Sequence, residues 1–296
     1  MKKLILSALL LSAAIGSAQE ANYIFYNQFQ NVVNPAAIGA EGNHTIGAHL
    51  RYQWAKSASS DSPQQQTLNT THRLSNHVAI GASVVREKVF VQHQTALFAD
   101  FAYALPLTET DNLYLGIKAG GNLFNIDSSR FKTYNDQYDP YLQGVSGRFQ
   151  PNVGVGAYYQ QPRFYVGLSA PNLLASDKTK VENEVVTSVA ERISFYAQAG
   201  YFYPLTADFT LSPRAQAYIN QKGDYQLNAS AAVLYSDYVE AALGYRSDNA
   251  VNICALFKVP KYHLSVGYGF ETNVDNNVNV GASVRNFHEF MLKVYW

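Results

Sequence analysis

From residue 44 to the last residue, apolar side chains recur at every second position in runs of about ten. In 45–54, Ile46, Ala48, Leu50, Tyr52 and Trp54 share one face, while Thr45, Gly47, His49, Arg51 and Gln53 share the other. The same alternation appears in 113–122, 152–160 and 226–235. A period of two is that of a strand, whose successive side chains point to opposite faces. No long segment with a 3.6-residue period follows the first twenty residues. The pattern predicts strands near 44–56, 65–74, 77–86, 93–105, 112–126, 150–161, 163–170, 191–204, 208–220, 224–236, 238–247, 249–258, 261–272 and 287–296.

The connections alternate in kind. Ser75-Asn76, 106–111, Gln161-Pro162, 204–207, Ser236-Asp237 and Val259-Pro260 read as tight turns. Residues 57–64, 87–92, 127–149, 171–190, 221–223, 248 and 273–286 form the other set, which holds the three longest. Short turns at one end and long loops at the other, with apolar faces and an even strand count, predict an all-β fold: an outer-membrane antiparallel β-barrel of about 14 strands. Both termini are then expected in the periplasm. On the last strand Phe290, Leu292, Val294 and Trp296 face lipid, and an aromatic end after alternating apolar positions resembles the signal read by barrel-assembly machinery. Pairing of the last strand with the first would leave no open edge.

Composition supports lipid, not a second protein layer, against those faces. Charged residues make up 15% of the 296, below the ~25% of an ordinary soluble domain. Many apolar faces end in amphipathic rings, among them Tyr103, Tyr159, Tyr201, Tyr203, Tyr235, Tyr245 and Tyr268, as expected at membrane interfaces. Lys2 and Lys3, the apolar run 4–15 and Gly16-Ser17-Ala18 read as a secretory signal peptide over 1–18. Its removal leaves 20 basic against 22 acidic residues, with no basic run for nucleic acid. The single Cys254 excludes an internal disulfide framework and reads as a buried structural thiol.

Residues 19–42 precede the first strand, with the barrel over 43–296. Asn34-Pro35 is a helix-start signal and Gly39 a candidate stop. This segment either hangs in the periplasm or folds into the lumen as a plug. Strand phase directs His49, Arg51, Asp100, Lys118, Arg214, Glu240, Arg246 and Glu271 inward. There they are expected to pair with one another, with Arg51 and Arg214 best suited to grip a plug because a guanidinium serves several carbonyls. Tyr134, Tyr138 and Tyr141 mark 127–149 as a partner-binding loop.

No catalytic, cofactor-binding or metal-ligating set emerges. Gly154-Val155-Gly156 lacks the third glycine and the helix of a nucleotide fingerprint, the seven histidines show no HExxH spacing, and no GxSxG turn occurs.

The stretch QFQNVVNPAAIGA at 28–40 resembles the N-terminal NPA-x-x-G signature of the PorP/SprF family of type IX secretion system membrane proteins of Bacteroidetes. Residues 51–54, 166–173, 211–215 and 288–296 are similar to further motifs of that family in the same order, with Trp296 standing where Phe is commoner. The resemblance implies a FadL-like barrel without enzymatic activity or cofactor. It implies a role in type IX secretion and gliding motility: supporting secretion or surface attachment of an adhesin that carries the type IX C-terminal domain, together with other components of the apparatus. A FadL-like uptake channel for hydrophobic solutes is the alternative, and an outer-membrane lipid hydrolase a third. A continuous apolar tunnel would favour uptake; a lumen sealed by plug and side chains would favour the scaffold.

Overall fold

The computed structural model describes residues 23–41, 44–53, 62–89, 92–126, 148–182, 185–236, 238–274 and 286–296. Seven strands come first: β1 (Thr45–Gln53), β2 (Gln64–Arg73), β3 (Val78–Val89), β4 (Gln92–Pro106), β5 (Asn112–Ile126), β6 (Arg148–Gln160) and β7 (Phe164–Asn172). A separate hairpin, β8 (Ser176–Glu182) and β9 (Val185–Glu191), follows. β10 (Ser194–Tyr201) and β11 (Tyr203–Pro204) form one stave interrupted at Phe202. The circuit ends with β12 (Phe209–Asn220), β13 (Tyr225–Tyr235), β14 (Val239–Arg246), β15 (Ala250–Val259), β16 (Leu264–Asn273) and β17 (Asn286–Tyr295).

Every neighbouring pair is antiparallel, β1 pairs with β17, and β10 pairs with β12, so the sheet closes on itself as a 14-strand barrel. Closure pairs Thr45 with Tyr295 and Arg51 with Glu289. Among the described residues no helix is long and apolar enough to cross a membrane; strands are the crossing elements here.

Burial reproduces the alternation. On β1, His49 is fully buried while Leu50 beside it is exposed. On β17, Glu289 and Met291 are buried, while Phe290, Leu292, Val294 and Trp296 are exposed. Large apolar side chains thus stand outward around the whole circuit, and buried polar and charged ones point inward. This inversion of a soluble protein is stable only where hydrocarbon covers the outer wall.

Three expectations change. β3 extends to Val89 and β4 starts at Gln92, which leaves residues 90–91 between them where a longer connection over 87–92 was expected. The 171–190 connection carries the β8–β9 hairpin instead of irregular loop. Gly39 does not end the N-terminal helix; it lies inside α1 (Ala37–Ala40), whose C-cap is Glu41. Trp54 and the tyrosines Tyr134, Tyr138 and Tyr141 lie outside the described residues.

Candidate functional site

The site is the inner wall and the segment packed against it. Residues 23–41 form a short 3-10 turn over Gln30–Val32 and then α1. Apart from the half-buried Val32 and Ala40, their apolar side chains are buried, Phe29 and Ile38 to 1% exposure. The Asn34-Pro35 signal works locally: the Asn34 side-chain oxygen accepts from Ala36 N at 3.0 Å, and its carbonyl accepts from Ala37 N at 3.1 Å. That arrangement turns the chain into α1.

The first half of the segment meets β1, β2 and β15–β17. Phe25 and Phe29 pack on Leu256 and Met291, with Cys254 at the margin. Such side chains contribute roughly 1.5–3 kcal/mol each when fully buried. Glu289 Oε2 accepts from Ile24 N at 2.9 Å and from Phe25 N at 3.4 Å. The same carboxylate bonds His49 Nε2 at 2.9 Å and the Arg51 guanidinium. Arg51 Nη2 donates to Glu271 Oε1 at 2.6 Å, Glu271 Oε2 accepts from Arg246 Nη1 at 2.9 Å, and Arg246 Nε donates to Asp248 at 2.8 Å. Glu289 and Glu271 are almost fully buried, so these contacts offset a desolvation cost that an unpaired carboxylate could not survive.

The second half meets β3–β7. Lys118 Nζ donates to the carbonyls of Asn31 and Val32 at 2.8 and 2.9 Å and stands 3.3 Å from Asp100, its register partner. Ser169 donates to Val33 O at 2.8 Å, and Asn34 Nδ2 to Ala157 O at 3.2 Å. Ala36 and Ala37 sit among Ala104, Tyr114, Tyr158 and Tyr165, and Ile38 between Ala79 and Ala102. Gly116 permits the closest approach: a Cβ there would lie 2.3 Å from Ala36 N and 2.5 Å from Pro35 C. Backbone therefore lies on backbone at this point, and only glycine leaves the room. Arg73 donates to Gly39 O within α1 at 3.0 Å, and Lys293 bridges Gln28 O at 3.2 Å and Glu41 at 3.1 Å.

All eight inward charges named from strand phase are buried. His49, Arg51, Arg246 and Glu271 gather in one network; Asp100 and Lys118 form a second; Arg214 and Glu240 a third, with Nη2 to Oε2 at 3.1 Å and Arg214 Nε to Ser212 at 3.0 Å. The two arginines do not hold the segment by its carbonyls as expected: their guanidiniums are engaged by carboxylates, and Lys118, Lys293 and Arg73 take the carbonyls. Glu289, the anchor of the first half, was missed as a site residue although its phase on the last strand points inward. Among the described residues no cluster of three or more metal-ligating side chains occurs.

This arrangement binds a piece of its own chain and orders charges. Residues 15–294 match the family model described as type IX secretion system membrane protein PorP/SprF. The chain belongs to that family. A search of curated proteins finds no match. Among solved structures, this PorP/SprF barrel is similar to the toluene transporter TbuX of Ralstonia pickettii, with a TM-score of 0.54 at 11% identity over 89% of this chain and 92% of that one. A FadL homologue of Pseudomonas aeruginosa gives 0.51 at 8% identity over 88% and 91%. The toluene transporter TodX of Pseudomonas putida gives 0.51 at 9% identity over the same shares. Identities this low establish a shared FadL-like barrel fold for this PorP/SprF protein, and the fold alone.

Proposed function

We propose that this PorP/SprF protein is a non-enzymatic outer-membrane scaffold that supports secretion or surface attachment of a partner adhesin by the type IX and gliding apparatus. On this reading residues 1–18 direct export, 23–41 act as the plug of the lumen, and the short turns and both termini face the periplasm. The observation that carries it is the occupied interior. A segment fixed by hydrogen bonds to β2, β5, β6, β7 and β17 fits a sealed scaffold better than a conduit. The buried ion pairs that line the wall support the same reading, since they make a polar lining and not an apolar tunnel.

The test is deletion of the gene followed by surface labelling of large secreted adhesins and a hydrocarbon-uptake assay. Loss of one adhesin from the surface with unchanged uptake is the expected outcome. Normal display with failed uptake would transfer the protein to the solute-channel reading, and cross-linking of the tagged barrel would name the adhesin.

A further inference from the structure

The outer wall is not uniform. Register aligns outward-facing residues of β1–β5 in rows across the strands. One row reads Ala48, Leu68, Val84, Leu97 and Gly121, apolar throughout. The next, toward the long-connection end, reads Leu50, Gln66, Arg86, Thr95 and Leu123. The last reads Tyr52, Gln64, Lys88, His93 and Asn125. Over three rows, about 7 Å of strand per step, the wall passes from hydrocarbon-like to cationic.

Arg86 and Lys88 stand apart from every other described charge on the barrel strands. By strand phase Arg51, Asp100, Lys118, Arg214, Glu240, Arg246, Lys258, Glu271, Glu289 and Lys293 point inward, as does Glu87 between the two cations. Arg86 is exposed on the outside. By strand phase Lys88 faces outward with it. At the same end of β10 and β12–β15 apolar side chains stand outward, Phe195, Ile219, Leu227, Tyr245 and Val251, and on β16 and β17 uncharged Thr272 and Asn286 with His288.

A groove of about 770 Å³ has Arg86 in its wall, with Lys88 two positions further along the strand. Leu68 and Val84 line it on the side of the apolar row, and Gln66, Thr95, Arg86 and His93 on the side of the polar rows. The small Ala48 side chain leaves room in the wall beside Leu50 and Leu68. An outward Lys or Arg is costly at the bilayer midplane and nearly free at the interface. The long side chains can also lay their methylenes on apolar surface and lift the charge to the headgroups.

We propose that this face binds an anionic membrane lipid, its phosphate held by Arg86 and Lys88 and its acyl chains lying in the groove toward Leu68 and Val84. The occupant follows from what covers the wall. The outer surface of a membrane barrel meets lipid, and a cationic row above an apolar trough is the complement of a phosphate above hydrocarbon. A protein partner would need an apolar or acidic strip of its own; the Leu68 and Val84 side of the groove suits acyl chains. His93 adds a third donor in register with Lys88.

The full barrel, purified in detergent, is tested by native mass spectrometry against equimolar phosphatidylglycerol and phosphatidylcholine. The wild type is expected to retain phosphatidylglycerol in preference. Arg86→Gln with Lys88→Gln lowers that retention, roughly fivefold for each cation removed. Arg86→Lys with Lys88→Arg keeps it, and Lys222→Gln with Lys261→Gln, at connections away from the groove, changes nothing. Heat-modifiable migration shows that each variant is folded; if the double glutamine variant is not, the two single variants carry the test. Equal retention of both lipids, or unchanged retention in the glutamine variants, overturns the proposal. Full displacement of the lipid by excess inorganic phosphate would reduce the patch to a simple anion site. Loss of a cross-linked secretion component from the glutamine variants, with lipid retention intact, would make the face a protein interface.

Discussion

Residues 23–29 and 32–40 are two halves of one short segment, yet they meet different arcs of the barrel wall and are held by different chemistry. The first half adds a charged hold to the packing of Phe25 and Phe29. Glu289 presents one carboxylate to two backbone amides of the segment and is itself fixed by His49 and Arg51. The second half is held mainly by shape, with α1 lying on Gly116 among tyrosines and alanines, and Lys118 and Arg73 as cationic clasps at its two ends. A charged hold depends on one group and its partners, so it fails abruptly when that group is removed. A steric cradle is spread over many contacts and fails when something is added. The two halves should therefore respond to opposite kinds of substitution.

Glu289→Ala strikes the first hold at its centre. It strands Arg51 and His49 in a buried site and frees two amides of the segment. Breaking a buried pair from one side costs about 3–5 kcal/mol. Urea unfolding of the detergent-solubilised barrel should show a loss of that size. A loss below about 1 kcal/mol would mean that water or a neighbouring group replaces the carboxylate.

Lys118→Met tests a charged contact of the second half at its start, where Arg73 holds Gly39 at the other end. Two carbonyls lose their donor and Asp100 loses its cation. A hydrogen bond to a charged group contributes about 1.5–3 kcal/mol. The expected result is a smaller stability loss than for Glu289→Ala, with faster amide exchange at Val33–Gly39 and unchanged exchange in β17. Uniform acceleration across the segment would show that its halves move as one body.

Gly116→Ala is the converse experiment, since it adds an atom. The new Cβ would meet backbone of Pro35 and Ala36, which has no rotamer to yield. Overpacking costs typically about 1–3 kcal/mol. The barrel strands have register of their own, so the strain should go into the segment: protease access near 33–40 rises while heat-modifiable migration persists. Unchanged protection would mean that α1 shifts without leaving its cradle.

The difference between the two holds also marks how far the sequence could be read. Strand phase is a local property, and it placed the staves, the closed barrel and the inward charges. Glu289 sits in phase on β17, but nothing in 289–296 reveals that closure brings Arg51 directly opposite it. That contact spans nearly the whole chain and exists only once the circle closes. Gly116 is equally silent: a glycine on an inward phase reads as a small residue until the segment that lies on it is known. Gly39 misled for the same reason. Its proximity to the Tyr114 ring, 2.4 Å from an added Cβ, is a packing demand that looks from sequence like a helix stop. The β8–β9 hairpin escaped notice because residues 176–191 mix charged and β-branched positions without an apolar face.

Tyr26→Phe gives the smallest effect and the finest comparison. Tyr26 is buried within the charge-held half, yet its hydroxyl reaches Ser230 on β13 at 2.9 Å, a neutral contact that does not involve Glu289. Removing it keeps the ring and its packing, so the cost should be only the net value of one neutral hydrogen bond, about 0.5–1.5 kcal/mol. Tyr26 and Glu289 share no hydrogen bond, so the double variant with Glu289→Ala should lose the sum of the two single losses. A double loss well short of the sum would show that the β13 contact forms only when the carboxylate has seated the first half, and the charged hold would then be the nucleus around which the rest of the segment docks.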